Sequence, residues 1–278
     1  MIKWIITSGA ECMDINEMKW EFPSSQKEVL AAFKGGSTLC AGGTWLLKRD
    51  LSKIEKMVDL NGALEEKITI DDGIVKIGAM ARFSQVIEYL GRDSLIVKSL
   101  TSSASTPLRN HITIGGSIAA FPMWSNVIGP LVAHEAEVVI FDGEPRAIPI
   151  EQYLADNERT QRLILGVKFL EKGWKSYFYS AKRTNFDYSS FNISILADIK
   201  GDEIGDCRII VVGCKNKFKR LTEIEKILRD KPISKINLIG IGKKTDIKFG
   251  KKPLGTPEYL RKLFEIELER GLAKILKG

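Results

Sequence analysis

Apolar positions along residues 24–35 recur with helical spacing. Val29, Leu30 and Phe33 share a face, Ser24 or Ser25 stands where an N-cap belongs, and Gly35 stands where the helix must stop. The pattern then shortens to a strand through Leu39 to Ala41 and a buried strand in "KMVDL" (56–60). "KITIDDGIVKIGAM" alternates on both sides of Asp72-Gly73, which predicts a hairpin. "RFSQVIEYLG" predicts a second helix ending at Gly91, and "IGPLVAHEA" (128–136) a third. A second hairpin, "EVVIFDGEPRAIPI", turns at Asp142-Gly143, and "RLILGVKFL" closes the first half as a strand. A boundary falls at "EKGW", Glu171 to Trp174.

The second half predicts strands "SYFYSAKR", "FNISILADIK" and "CRIIVVGC", then the helix "LTEIEKILRD". The last segment carries a full set of helix signals. Thr256 caps, Pro257 occupies the first turn, Glu258 faces the positive end of the dipole, and apolar residues recur from Leu260 to Ile275. Hairpins joined to helices, without regular β-α-β alternation, predict an α+β protein.

Composition narrows the class. The chain has 278 residues, 44% hydrophobic and 28% charged, as in a soluble globular protein. No apolar run approaches the ~18–20 residues of a membrane span, and the first residues are too short of apolar length for a signal peptide. The expectation is a cytoplasmic protein without a membrane partner. Cys12, Cys40, Cys207 and Cys214 show no C-x-x-C spacing, and His111 and His134 are the two histidines, so no metal site is predicted.

Charge is unevenly placed. Residues 200–278 hold 20 Lys and Arg against 11 Asp and Glu, a balance of +9, whereas residues 1–199 hold 22 against 24. The basic third is most simply a solvated face, with an acidic partner surface or an anionic ligand as the alternatives; it lacks stacking aromatics apart from Phe218 and Phe249, so no nucleic-acid partner is predicted.

Several nucleotide and hydrolase signatures are absent. Gly240-Ile241-Gly242 begins a dinucleotide motif, but Thr245 occupies its last position. The same stretch fails as a phosphate-binding P-loop because Asn237 stands at its first glycine, and no G-x-S-x-G elbow exists. Two other segments stand out, "CAGGTWLL" at Cys40 to Leu47 and "TIGGSIAA" at Thr113 to Ala120. Each sets a Gly pair before a hydroxyl residue, Thr44 or Ser117. Glycines admit positive φ and close backbone approach, so consecutive N–H groups can converge on an anion. Each segment alone is equally an ordinary turn; the pair suits a diphosphate, which has two phosphoryl groups to satisfy.

"AGGTWLL", then "PLRNHITIGGSIA", then Ser125-Asn126 nine residues after the second Gly pair, resemble the flavoprotein (medium) subunit of the molybdenum hydroxylases. That family includes xanthine dehydrogenase and carbon monoxide dehydrogenase, and its usual pattern is A-G-G-T-D-L-L, I-R-N-x-A-T-I-G-G-N-I-A-N and S-D. "KRTNFDYSSFNISILADI" resembles its R-x-x-x-D-x-A segment, and "TPEYLRKLFEIELERGLAKIL" its closing helix. Residues 1–17 alone have no counterpart.

The resemblance implies a two-subdomain FAD-binding domain of the vanillyl-alcohol-oxidase-like type over residues 1–173, divided into 1–78 and 79–173. A smaller α+β domain follows over 174–278. It implies that Cys40, Ala41, Gly42, Gly43, Thr44, Trp45 and Leu46, with Thr113, Ile114, Gly115, Gly116 and Ser117, cradle the FAD diphosphate. Asn126 stands at the family's Asp and meets a ribose hydroxyl as donor or acceptor. Leu165 packs the cofactor, and Arg183 and Asp187 lie near the flavin. The departures are Trp45 for Asp, Ser117 and Ala120 for two Asn, and Tyr179 for a flavin-contacting Lys, a role that Tyr179 and Lys182 then share. Each lost hydrogen bond is worth about 0.5–1.5 kcal/mol.

The implied partners are a small [2Fe-2S] iron–sulfur subunit, a large molybdopterin catalytic subunit, and NAD or another electron acceptor. Two alternatives stand beside this reading. One is a free-standing FAD-dependent reductase of similar fold, such as one resembling UDP-N-acetylenolpyruvoylglucosamine reductase. The other is a cofactor-free module that binds through its basic face.

Overall fold

The computed structural model describes residues 18–185, 187–229 and 231–277. The segment without a family counterpart, including Cys12, lies outside these residues. Three sheets organise the rest. The first is parallel, from β1 (Lys19–Glu21), β2 (Thr38–Cys40) and β3 (Lys56–Asp59), in the order β1-β3-β2. The second is antiparallel, from β4 (Ile68–Asp71), β5 (Ile74–Gly78), β6 (Glu137–Phe141), β7 (Pro145–Pro149) and β8 (Leu163–Leu170), in the order β4-β5-β8-β6-β7. The third is an antiparallel meander of β9 (Lys175–Ala181), β10 (Phe191–Lys200), β11 (Glu203–Cys214) and β12 (Lys217–Arg220). The fold is α+β.

Helix α1 (Gln26–Lys34) begins where the capping pattern placed it. The Glu28 N–H donates to Ser25 Oγ at 3.3 Å, and the Ser24 N–H donates to Glu28 Oε2 at 2.7 Å. Between the second sheet's strands run α2 (Phe83–Leu90), α3 (Leu95–Thr101), α4 (Thr106–Arg109), α5 (Ile114–Ala120), α6 (Ile128–Ala133) and α7 (Ile150–Ala155). Helices α8 (Thr222–Leu228) and α9 (Pro257–Lys277) cover the third sheet. The segment 128–136 stops being helical after Ala133, because Glu135 takes φ +52° and turns the chain into β6.

The third sheet is buried on both sides. Leu196, Ile210 and Val212 point into the core of the first half with Leu131 and Val132 of α6. Ile193, Ile195, Ile209 and Val211 point the other way, onto Phe264 and Leu268 of α9. That two-sided burial is why "RIIVVGC" reads as an apolar run instead of alternating. Arg208 crosses between the halves. Its guanidinium is 4% exposed, donates to the Ala133 carbonyl at 3.0 Å and pairs with Glu135 at 2.9 Å.

His134, beside that contact, packs its ring 4.6 Å from Phe169, and its Nε2 is buried without a hydrogen bond, 4.0 Å from Glu171 Oε2. Burial pushes its pKa from 6.5 down to about 4, with the Arg208 and Lys172 charges acting in the same direction. Above pH 6.5 both folded and unfolded chains hold the ring neutral. As pH falls from 6.5 towards 4, the unfolded chain takes the proton first, so stability is lost across that window. The expected loss is on the order of 2–3 kcal/mol, and His134→Gln should flatten it in urea titrations at pH 7 and pH 4.5. Arg208→Met should cost about 2–3 kcal/mol in the same measurement at pH 7, because the Ala133 carbonyl loses a charge-assisted donor.

Candidate functional site

The two Gly-Gly segments meet. Strand β2 ends at Cys40, whose carbonyl accepts from the Leu60 N–H at 3.0 Å, and the chain then turns through Ala41 to Thr44. A Cβ at Gly42 would lie 1.6 Å from the His111 carbonyl oxygen and 3.5 Å from Thr113 Cγ2. A Cβ at Gly116 would reach Thr113 Oγ1 at 2.8 Å and the Ala41 Cβ at 3.9 Å. Thr113 therefore sits between the two glycine pairs.

The two segments do different work. "TIGGSIAA" is not a loop but the start of α5, with Thr113 as its N-cap. Its amides are used within the protein. Ile114 donates to Ala81 and Gly115 to Ala79, each at 2.9 Å, Gly116 to Thr113 Oγ1 at 3.2 Å, and Ser117 to the Thr113 carbonyl at 3.1 Å. The Ser117 hydroxyl donates to that carbonyl too, at 2.8 Å, and the Ile114 side chain is fully buried in the core. In the first segment Gly43 takes φ +72°. Among the described residues the N–H groups of Gly42, Gly43 and Thr44 have no hydrogen-bond partner. Consecutive free amides around a positive-φ glycine form an anion-binding concavity. These residues fit a phosphoryl group: one segment presents the amides, and the other is packed hard enough to hold it in place.

The remaining candidates distribute unevenly around this junction. Cys40 is half-buried, and burial, then the Asp59 charge, raises its thiol pKa. Leu46 opens a single 3-10 turn. Trp45 is 39% exposed, not a core residue, and its ring lies 6.0 Å from Trp124, which stacks on Tyr188 at 4.6 Å. Lys48 hydrogen-bonds the Tyr188 hydroxyl and lies 4.4 Å from its ring centre. Asn126 is 6% exposed, and its Oδ1 accepts from Asn192 Nδ2 at 3.1 Å. The same Asn192 nitrogen donates to the Ser125 carbonyl at 2.9 Å, so the open group of Asn126 is its own NH₂. Leu165, whose carbonyl accepts from the Ala79 N–H at 2.9 Å, lines a cavity of about 360 Å³ with Gln26 and Gly78.

Four candidates come from β9 and the residues that follow it. Tyr179 faces the α9 side of the third sheet, with Phe191 at 6.1 Å. Burial, then the Glu267 charge, pushes its hydroxyl up to about 12. Strand alternation sends Phe178, not Tyr179, to the first half's core. Lys182 donates to the Ser102 carbonyl after α3, and burial lowers its pKa. Arg183 and Asp187 pair with each other at 2.8 Å on the surface. Sequence reading missed Asn192, Trp124, Tyr188 and Lys48. Trp124 stands one residue before the Ser125-Asn126 pair, and Tyr188 and Asn192 lie within the segment "KRTNFDYSSFNISILADI".

Comparisons with known proteins agree with this architecture. Residues 16–169 match the family described as the FAD binding domain in molybdopterin dehydrogenase, and residues 176–275 match the CO dehydrogenase flavoprotein C-terminal domain. YgfM, an uncharacterized protein of Escherichia coli K12, is 27% identical over 217 residues, 77% of each chain. The fold resembles a chain of quinoline 2-oxidoreductase from Pseudomonas putida 86, with TM-score 0.84, 17% identity and coverage of 94% of this chain and 97% of that one. It equally resembles a chain of carbon monoxide dehydrogenase from Hydrogenophaga pseudoflava, with TM-score 0.84, 20% identity and coverage of 93% and 97%. With over half its length matched by the first of these families and most of the remainder by the second, the chain belongs to the FAD-binding flavoprotein subunits of the molybdopterin dehydrogenases.

Proposed function

We propose that this subunit takes electrons from the iron–sulfur clusters of a small [2Fe-2S] partner, itself supplied by a large molybdopterin subunit, and delivers them to an acceptor such as NAD⁺. Bound FAD would supply the redox chemistry, accepting electrons on one side and yielding them on the other. The observation that carries this reading is the run of unpartnered amides at Gly42, Gly43 and Thr44, pressed against Thr113. They would hold the diphosphate, with the Thr44 hydroxyl beside them. Asn126 would donate its NH₂ to a ribose hydroxyl, and Leu165 would pack against an apolar face of the cofactor. Trp45, half out of the protein, would cover a ring face and keep water from it.

The rest of the chain supports a role within a larger assembly. Among the described residues Cys40, Cys207 and Cys214 are free and spaced for no cluster, which suits a subunit that takes its electrons from another chain. The basic C-terminal third offers a face for an acidic neighbour.

The purified chain should be yellow and should release FAD, identified by mass, on denaturation. A red-brown iron–sulfur partner that co-purifies would favour the subunit reading over a free-standing reductase. A colourless chain that takes up no added FAD would overturn both. Gly42→Ala should weaken FAD binding more than Gly116→Ala, because its Cβ meets a backbone carbonyl at 1.6 Å instead of a hydroxyl at 2.8 Å. Overpacking of about 1–3 kcal/mol corresponds to a loss of about 5- to 150-fold, read by fluorescence titration with circular dichroism as the folding control.

A further inference from the structure

The residues placed around the diphosphate have one electrostatic gap. Amides and hydroxyls are neutral, yet a diphosphate is anionic, and Cys40 to Leu46 and Thr113 to Ser117 include no cation. We infer that Arg82 fills this role: its guanidinium is the counter-charge of the diphosphate, an inference that rests on reading the two glycine segments as the FAD site.

Backbone geometry carries the assignment. Arg82 and Thr113 form an isolated antiparallel bridge. The Phe83 N–H donates to Ile112 at 3.0 Å and the Ile114 N–H to Ala81 at 2.9 Å, so hydrogen bonds flank the pair without joining it. In such a pair the two side chains stand on the same face at the closest cross-strand spacing. Thr113 is the residue whose Oγ1 caps α5 and whose Cγ2 lies 3.5 Å from the Cβ position of Gly42. Arg82 thus projects beside the junction of the two glycine segments.

Two further observations point the same way. The Arg82 side chain is exposed, and among the described residues its guanidinium has neither a hydrogen-bond nor an ion-pair partner. It lines a cavity of about 680 Å³ with Asn61, Gly62 and Lys67, and Leu60, the residue before Asn61, donates to the Cys40 carbonyl at the end of β2. Two acidic residues, Glu65 and Glu66, share the cavity wall, and Glu66 accepts from Gln85 Nε2 at 3.2 Å. An arginine here would form a charge-assisted, two-pronged contact with phosphoryl oxygens that no amide can replace.

The test titrates the full chain, freed of chromophore, with FAD, ADP and riboflavin at low and high salt. Arg82→Gln should weaken FAD and ADP by about 10- to 100-fold and flatten their salt dependence, leaving riboflavin unchanged. Arg82→Lys should recover part of the loss. Wild-type affinity and salt dependence in Arg82→Gln would overturn the assignment and leave the diphosphate reading standing. An equal loss for riboflavin would also overturn it, showing a structural role. A wild-type chain that binds neither FAD nor ADP would overturn the assignment together with the reading beneath it.

Discussion

At residue 42 the chain has no room for a side chain. The His111 carbonyl occupies the place where a Cβ would stand, and much of the architecture follows from that contact. It presses the end of the small parallel sheet against the approach to α5, which belongs to the larger antiparallel sheet. Ile114 and Gly115 fasten the other flank of this junction to Ala81 and Ala79, just past β5. With both sides pinned, the turn at Gly43 is left with amides that none of the described residues satisfies. Unmade hydrogen bonds are costly when water is displaced, so a ligand that supplies acceptors gains what the protein has left open.

How much of this was legible depended on whether the cause was local. Ser25, Pro257 and Asp72-Gly73 act on their immediate neighbours, and α1, α9 and the β4–β5 hairpin appear where those residues place them. The glycine pairs announced close backbone approach, and Gly42 shows it. The division of labour between them was not written locally. Glycine disfavours a helix, so Gly115-Gly116 reads as a turn, yet α5 forms because Thr113 caps it and Ala79 and Ala81 hold its first amides. Helices as short as α4 and α5, of four and seven residues, have little stability of their own and leave a correspondingly faint pattern. Tyr179 shows the limit of matching positions: a family position says nothing about which face of β9 a residue occupies.

The third sheet explains why the halves of the chain act as one body. A sheet with one apolar face could detach; this one supplies walls to two cores at once. Arg208 adds direction to that adhesion, tying β11 to the carboxyl end of α6 through Ala133 and Glu135. The same sheet supplies Asn192, so a residue of the C-terminal half sets the orientation of Asn126 in the other.

That last hydrogen bond changes what kind of grip the site has. An aspartate at this position would bring a carboxylate towards an anionic cofactor, adding like charge, and would take up a proton in acid. Asn126, with one bond from Asn192 on its oxygen, has its NH₂ free to donate. It never ionises, and it adds no repulsion to an already anionic guest. A ribose hydroxyl at this position would meet a neutral donor whose strength is indifferent to acidity.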